Sequence, residues 1–389
     1  MKNKVDKRIQ ITKNYSMAAI AIACLIFCAY CYLLQPVLSY SRVKIVAALV
    51  LFFVLFIGRS YCYSTKNMIL GIAVVFLTLF NSFVKANSLA NFFDCFEVLS
   101  WIVCVLLMLM ILLTDKEIKL VLMAAKYASL ITSIDFLARN DWFTSRITYV
   151  LAFGGIGRNM IINFTLAGLT ITLIQILFCK AKRINYIYLA ILLIAVLQAN
   201  SRAIFLAFAM SLGCIVMHYI LSLEKEIRWK KAITIILLIL LLIIIWLLFM
   251  PQSYIDRLWN PKAYGFQESD RVELWKTAIE MSNAPLLGMG PNYSQTIASH
   301  QGYGAHNLFI DTYVNSGIVV SLLTLFFIIT FIKKDLLLLA FFSTPFVEMM
   351  VESGRSTGTW GAIVIITLIT NRAIANNKSF AETIKSILD

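Results

Sequence analysis

The chain has 389 residues, of which 60% are hydrophobic and only 14% are charged. A soluble domain has about a quarter of its residues charged, because its surface must be covered with polar groups. These proportions exclude a soluble enzyme, a disordered protein and a small disulfide-stabilised domain. If each membrane helix takes about 20 residues, ~240 residues would form some twelve spans. The composition therefore predicts an all-α, polytopic membrane helix bundle.

Continuous apolar runs divide the chain into candidate membrane spans. The strands of a membrane barrel are about ten residues long and alternate in polarity, whereas these runs are longer and unbroken. We therefore predict a single integral membrane domain over residues 1–389. The predicted spans are 17–34, 43–58, 68–84, 93–113, 118–137, 159–179, 184–199, 203–221, 232–250, 308–332, 336–350 and 360–374.

The net charge of +14 is concentrated in short basic segments between apolar runs, where it orients a membrane protein. With the N-terminus inside, most Lys and Arg residues fall in cytoplasmic segments. We therefore predict that both termini are cytoplasmic. No small-residue cleavage site follows the first apolar run, so we interpret it as a retained span and not a signal peptide. The main cytoplasmic basic segments are 180–183, 225–231 and 333–334.

Lysine dominates the predicted inner segments, whereas arginine dominates the outer ones. Topology requires only positive charge, but the planar guanidinium group also binds phosphate or carboxylate through two hydrogen bonds. This distribution predicts an outer face that binds anions. The alternative for any one arginine is that it pairs with an acidic side chain or extends to the membrane surface. The outer arginines are Arg42, Arg139, Arg146, Arg158, Arg202, Arg257, Arg271 and Arg355.

One long loop, residues 251–305, lies on the predicted outer face between the ninth and tenth spans. Loops of this length are usually functional or disordered, and its six Trp and Tyr residues argue against disorder. Apolar residues at helical spacing predict an amphipathic helix over 270–282, with Asp270 as its N-cap and Glu273 as the capping-box partner. This helix would carry Arg271 and Trp275 on the membrane surface.

His306 stands immediately before the tenth span, and we predict that it is a general base. Nearby positive charge and partial burial both keep a histidine neutral, and a neutral imidazole can accept a proton. The alternative is a hydrogen-bonded loop residue. We expect a structural role for His218, which lies at the cytoplasmic end of a span, and no essential role for His300.

Other groups that suggest chemistry receive structural interpretations. The Cys28-x-x-Cys31 pair lies in an apolar helix without His or carboxylate partners, so we expect both thiols to pack. No spacing of residues is typical of metal ligands, and we predict neither a metal nor a cofactor. The Gly288-x-Gly290 stretch lacks the rest of a dinucleotide-binding fingerprint and is interpreted as a turn. Lys126 is the ionisable residue that we place clearly inside a span.

Several short motifs occur in an order that resembles the O-antigen ligase and polymerase family of bacterial envelope polysaccharide assembly. The resemblance is concentrated in residues 200–320, and Val320 departs from it because a glycine is usual there. The matching pieces are Asn200-Ser201-Arg202, the R-x-x-x-W of Arg271 to Trp275, the PLLGMG of 285–290, and His306-Asn307 followed by Gly317. Arg146 and Arg158-Asn159 also match positions before a span.

The resemblance implies a membrane glycosyltransferase of the bacterial inner membrane, active at the periplasmic or outer face without metal or nucleotide. It implies that a glycan passes from an undecaprenyl-pyrophosphate donor to a hydroxyl group of an acceptor. The implied catalytic residues are His306, Arg271 and Arg202. Pyrophosphate would be bound by Arg146, Arg158 and Arg355, with support from Asn307, Trp275, Ser201 and Gly317.

Two alternatives remain open. Within the family we favour the polymerase, whose acceptor is a second lipid-linked repeat unit, over the ligase, whose acceptor is the core of lipid A. The different class is a polysaccharide transporter or flippase, which would also need many spans. Ion-coupled transporters place ionisable residues and paired half-helices at mid-membrane, and we recognise no half-helix pair in the sequence.

Overall fold

The computed structural model describes residues 16–31, 65–86, 89–141, 148–151, 154–157, 161–259, 268–282, 286–291, 307–332, 335–351 and 357–389. Within these residues the chain is almost entirely helical. The helices are α1 (Met17–Cys31), α2 (Thr65–Lys85), α3 (Leu89–Met108), α4 (Asp115–Arg139), α5 (Ile161–Phe178), α6 (Ile184–Ala199), α7 (Arg202–Ser222), α8 (Lys225–Phe249), α9 (Gln252–Trp259), α10 (Glu268–Glu280), α11 (Leu308–Ile329), α12 (Leu336–Val351), α13 (Thr357–Ala375) and α14 (Phe380–Leu388).

The prediction of an all-α, multi-pass membrane protein is confirmed in its main part. Among the described residues, four helices, α2, α4, α7 and α11, are long and apolar enough to cross a membrane, and shorter apolar helices accompany them. The predicted span at 184–199 coincides with α6, and most of the others agree within a few residues. The predicted span at 43–58 lies outside the described residues, so the count of twelve stays a prediction.

Three local features differ from the sequence-based expectations. A two-stranded antiparallel hairpin, β1 (Thr148–Leu151) and β2 (Gly154–Gly157), was not predicted, because its strands are too short and glycine-rich to show a pattern. The helix predicted to start after Asp270 begins at Glu268 instead, so Asp270 lies within the first turn and is not the N-cap. The short helices α9 and α14 were also not predicted.

The interior of the bundle is built around α4, α5, α7 and α12. Helix α4 packs against α1 and α5, and α7 packs along α12 in the most extensive helix pairing of the described residues. Small residues allow close approach: Gly168 of α5 donates its backbone N–H to Ser129 Oγ of α4 at 3.1 Å. Packing of small residues is the usual source of association between helices in a lipid environment.

The two ends of the bundle are distinct. At one end, which we call the terminal end, Ser16 bonds Glu117, and Arg372 pairs with Asp115 at 2.5 Å. The C-terminal helix α14 closes this end, where Ala381 N donates to Asp335 Oδ2 at 2.9 Å. The opposite end, which we call the loop end, carries the hairpin, the start of α7, and helices α9 and α10.

Helix α14 is fixed to the terminal end by both capping and packing. Ser379 and Glu382 form a capping box at its start, and the hydrogen bonds from Ser379 lower the pKa of Glu382. Lys385 Nζ lies 2.8 Å from His218 Nε2 and 4.4 Å from the centre of the Phe178 ring. Burial lowers the pKa of Lys385. His218 thus contacts α14 at the end opposite the predicted site.

Lys126 is buried at 2% exposure inside the bundle. Its Nζ donates to Gln175 Oε1 at 2.6 Å and to Asn185 Oδ1 at 2.8 Å, and it lies 5.0 Å from the centre of the Tyr188 ring. Two amide oxygens and an aromatic face therefore solvate the ammonium group. The arrangement joins α4 to α5 and α6, which is a structural role for this intramembrane cation.

Candidate functional site at the loop end of the bundle

The turn between α6 and α7 presents Arg202 at the start of a helix. Asn200 adopts the left-handed conformation (φ 44°, ψ 49°) that ends α6, and its N–H donates to Leu197 O at 3.2 Å. Ser201 is the buried N-cap residue, and its hydroxyl makes no capping bond to α7. Arg202 is the first residue of α7 and is exposed. A cation at the positive end of a helix dipole is unfavourable, but the two together attract an anion.

Helix α9, at the start of the long loop, holds this turn in place. Tyr254 is fully buried, and its hydroxyl donates to Leu197 O. In return Asn200 Nδ2 donates to Tyr254 O at 3.4 Å. The Tyr254 ring meets Trp246 of α8 edge-on at 5.9 Å, and Trp246 meets Phe205 of α7 at the same distance. The backbone that leads into Arg202 is therefore bonded from two sides.

The start of α11 is fixed by Asn307. Its side-chain oxygen accepts the N–H groups of Phe309 at 3.0 Å and Ile310 at 3.2 Å, which makes Asn307 the N-cap. Its amide nitrogen donates to Met350 O of α12 at 3.3 Å. Asn307 is 3% exposed. Asn307 is therefore bonded to the backbone of both α11 and α12.

Helix α11 is broken at Gly317. This residue has φ 84° and ψ 173°, outside the helical region, although both flanking segments are helical. It lies nine residues after Leu308, or about 14 Å along the helix. In a continuous helix the N–H of Ile318 would donate to Val314 O and that of Val319 to Asn315 O. The break frees these carbonyl groups inside the bundle.

A segment of the long loop supplies the missing donors. We call residues 286–291 the strap. The N–H of Met289 donates to Val314 O at 2.8 Å, and that of Gly290 donates to Asn315 O at 3.0 Å. The side chains of Leu286 and Leu287 are 66% and 49% exposed, so these apolar groups of the strap point away from the bundle. The loop therefore enters the bundle at the level of the break.

Glycine is required where the strap meets α11. A Cβ atom at Gly317 would overlap the carbonyl group of Leu286, and one at Gly288 would come within 2.5 Å of the Asn315 backbone. Both glycines also have positive φ. Val320, where the family pattern has a further glycine, is buried in the main hydrophobic cluster of the bundle. The glycines of two separate sequence motifs therefore belong to one contact.

Helix α10 packs beside the first segment of α11, before the break at Gly317. Ala278 and Val314 form a small buried cluster, against which Ile310 and Tyr313 pack. Leu274, one turn before Ala278, is also buried, whereas Trp275 is half-buried. The backbone of Arg271 lies a further turn back, on the same helical face as Leu274 and Ala278.

Two buried carboxylates at this end were not predicted. Asp311 is 5% exposed in the first turn of α11, and Glu348 is 0% exposed near the end of α12. The prediction that only Lys126 lies clearly inside a span was wrong, because Asp311 and Glu348 also lie within predicted spans. The signal was available, since ionisable residues inside apolar runs indicate functional sites.

The structure describes some of the predicted site residues and not others. The structure places Arg202, Ser201, Asn307, Trp275 and Gly317 at the loop end, together with the backbone of Arg271. Arg139 pairs with Asp135 at 2.6 Å, as the alternative interpretation of the outer arginines foresaw. Several predicted residues lie outside the described residues: His306, His300, Arg146, Arg158 and Arg355.

Helix α12 connects the two helix starts that carry the candidate residues. It packs along α7, and its Met350 carbonyl bonds Asn307. Because α7 begins where α12 ends, Arg202 and Asn307 lie at the same end of α12. Among the described residues, no group of three or more His, Cys, Asp or Glu side chains could hold a metal ion. Cys28 and Cys31 are free thiols.

Comparison with known families agrees with these motifs. Residues 187–327, which run from α6 through most of α11, match the family model described as O-Antigen ligase. The resemblance found in the sequence is therefore confirmed for this segment, which is similar to the O-antigen ligase family. No curated protein matches the chain.

The glycines at the strap provide a first prediction. Gly317→Ala and Gly288→Ala should each destabilise the protein by about 2–4 kcal/mol, from steric overlap and a positive φ. Gly213→Ala is the matched control, because nothing lies within 4 Å of a Cβ atom there. Thermal unfolding in detergent should show a lowered midpoint for the first two variants only. Equal midpoints for all three would contradict the contact between the strap and α11.

Proposed function

We propose that the protein is an O-antigen polymerase-type transferase. The glycan of an undecaprenyl-pyrophosphate donor would pass to a hydroxyl group on a second lipid-linked repeat unit. The observation that carries this proposal is that α7 and α11 begin at the same end of α12, and that α10 and the strap pack on α11. Helices α7, α10 and α11 and the strap contain the motifs that resemble the family, and these motifs lie within the matched segment.

The chemistry of the leaving group supports a site built on arginine. A departing lipid pyrophosphate carries several negative charges, which fixed donors must stabilise if no metal takes part. We assign this role to Arg202 and Arg271, with Arg146, Arg158 and Arg355 as further phosphate ligands. One charge-assisted hydrogen bond contributes about 1.5–3 kcal/mol, or roughly ten- to 150-fold in rate when it forms in the transition state.

His306 is our candidate for the general base. A base must be held within about 3 Å of the proton that it removes, and the N-cap bonds of Asn307 give its neighbour a fixed attachment. The packing of α10 on α11 supports a position of Arg271 near this base. Ala278 packs on Val314, and Arg271 lies two turns before Ala278, so a parallel arrangement of the two helices would bring Arg271 toward the start of α11. Base and phosphate ligand would then share one cleft.

The proposed topology has the loop end outside. Twelve spans in one domain of residues 1–389, with both termini cytoplasmic, would make residues 251–305 a periplasmic loop of an inner-membrane protein. The arrangement of the described ends supports this, because Ser16 and α14 share the terminal end whereas the loop helices lie at the opposite one. The donor would then reach the site from the outer leaflet.

The two other candidate functions are a ligase and a transporter or flippase. A ligase would use the same donor and base but transfer the glycan to the lipid A core, so only the acceptor differs. A transporter or flippase is favoured by one observation, the broken helix α11, since discontinuous helices line many transport pathways. Here, however, loop backbone and side-chain groups bond the freed Val314 and Asn315 carbonyls, and the described residues contain no second helix with a non-helical residue inside it.

A transfer assay tests the main proposal. The purified protein should lengthen lipid-linked repeat units without nucleotide and in the presence of a chelator. His306→Ala and His306→Gln should both reduce turnover at least a hundredfold, because neither side chain can take up a proton. His300→Ala is the control and should stay within twofold of the wild type. Transfer only to lipid A core would assign the ligase instead, and transbilayer movement without transfer would assign the transporter.

Arginine geometry supplies a separate prediction. Arg202→Lys keeps the charge but loses the two-pronged hydrogen bonding, so turnover should fall at least tenfold, and the same holds for Arg271→Lys. Arg139→Lys is the matched control, because Arg139 is an outer arginine already paired with Asp135. Its activity should change less than twofold. Full activity in Arg202→Lys and Arg271→Lys would show that a guanidinium group is not required.

The proposed orientation can be tested independently of activity. A membrane-impermeant thiol reagent should label a Ser299→Cys variant in cells with a permeabilised outer barrier. It should not label Ser222→Cys, which lies at the end of α7 toward the terminal end. Native cysteines are replaced in the background used for both variants. The reverse labelling pattern would put the candidate site in the cytoplasm and exclude the proposed donor.

A further inference from the structure

Asn81 of α2 forms a hydrogen bond to the broken helix from outside the matched family segment. The side chain is 3% exposed, and its Nδ2 donates to Asn315 O at 2.8 Å. The two residues are 234 positions apart in the chain. Asn315 O is one of the two carbonyl groups that the break at Gly317 frees, and it also accepts the N–H of Gly290. One oxygen atom thus joins α2, the strap and α11.

This contact helps to set the direction of the first segment of α11, residues 308–316, which precedes the break. The strap bonds the break, and α2 lies against the strap, since a Cβ atom at Gly290 would lie 3.1 Å from Lys85 Cβ. The acceptor atom of the amide, Asn81 Oδ1, is buried and has no hydrogen-bond partner in the described part of the chain. The donor half of the amide therefore makes the contact that matters for the break.

We propose that Asn81 is a positioning residue for the transfer reaction, acting through the Asn315 carbonyl. This inference rests on the proposed function. Asn315 lies eight residues after Asn307, about 12 Å along the helix. At that length a tilt of about 5° moves the helix start by roughly 1 Å, and a displacement of this size can cost about a hundredfold in rate. Loss of the Asn81 bond would tilt this segment and misplace the groups at its start.

Three substitutions separate the hydrogen bond from the shape of the side chain. Asn81→Leu preserves the shape without a donor. Asn81→Asp preserves it too, with a group that donates only when protonated. Thr78→Val is the matched control, since Thr78 is buried one turn away on α2 and its hydroxyl donates to Val74 O of its own helix. We expect Asn81→Leu to lower kcat at least tenfold while KM for the donor changes less than threefold, and Thr78→Val to stay within twofold.

The pH profile gives a readout that a general packing defect would not change. As the pH falls, the carboxyl group introduced by Asn81→Asp gains a proton and can donate to Asn315 O. The ratio of Asn81→Asp activity to wild-type activity should therefore rise toward lower pH, whereas the ratio for Asn81→Leu should stay flat. A flat ratio for both variants, or unchanged kcat in Asn81→Leu, would overturn the positioning role.

Amide hydrogen exchange tests the same contact without any activity. Exchange at residues 286–291 should be faster in Asn81→Leu than in the wild type and unchanged in Thr78→Val. If the wild type transfers no glycan but the strap still loosens in Asn81→Leu, the proposed function fails while the structural contact stands. If transfer is normal and exchange at the strap is unaffected in Asn81→Leu, the inference about Asn81 fails and the proposed function stands.

Discussion

A backbone carbonyl group inside a membrane bundle must find a donor within the protein, because no water is available to it. The break in α11 depends on this constraint. A helix interrupted about 14 Å from its start would be unfavourable if the freed carbonyls of Val314 and Asn315 had no partners. The strap and Asn81 provide those partners. The long loop is therefore bonded into the bundle and is more than a connection between two spans.

The same constraint explains why two sequence motifs occur together. The strap can approach α11 only where neither chain has a Cβ atom, at Gly288 and Gly317. A break without the strap would leave carbonyls unsatisfied, and the strap without the break would have no acceptors to reach. Each motif therefore needs the other. The contact also anchors the loop directly after α10, which fixes the position of the helix that carries Arg271.

Much of the fold could be predicted from the sequence, but the contacts at the site could not. Apolar runs located most of the helices, because a membrane span leaves a long and continuous signal. The motifs indicated Arg202, Asn307 and Gly317 as candidate site residues. The sequence around Gly317 did not by itself show a break, since glycine is common within membrane helices and the apolar run continues after it. The bond between Asn81 and Asn315 joins distant parts of the chain, and no alternation or spacing records such a pairing.

Electrostatics and rigidity act together at the loop end. Arg202 stands at the positive end of the α7 dipole, so the guanidinium group and the dipole both favour a bound anion. The Tyr254 and Asn200 bonds hold the turn that carries Arg202. Helix α12 then fixes α7 relative to α11, through its packing along α7 and the bond from Asn307 to Met350 O. A phosphate group bound by Arg202 would thus have a fixed position relative to Asn307 and the start of α11.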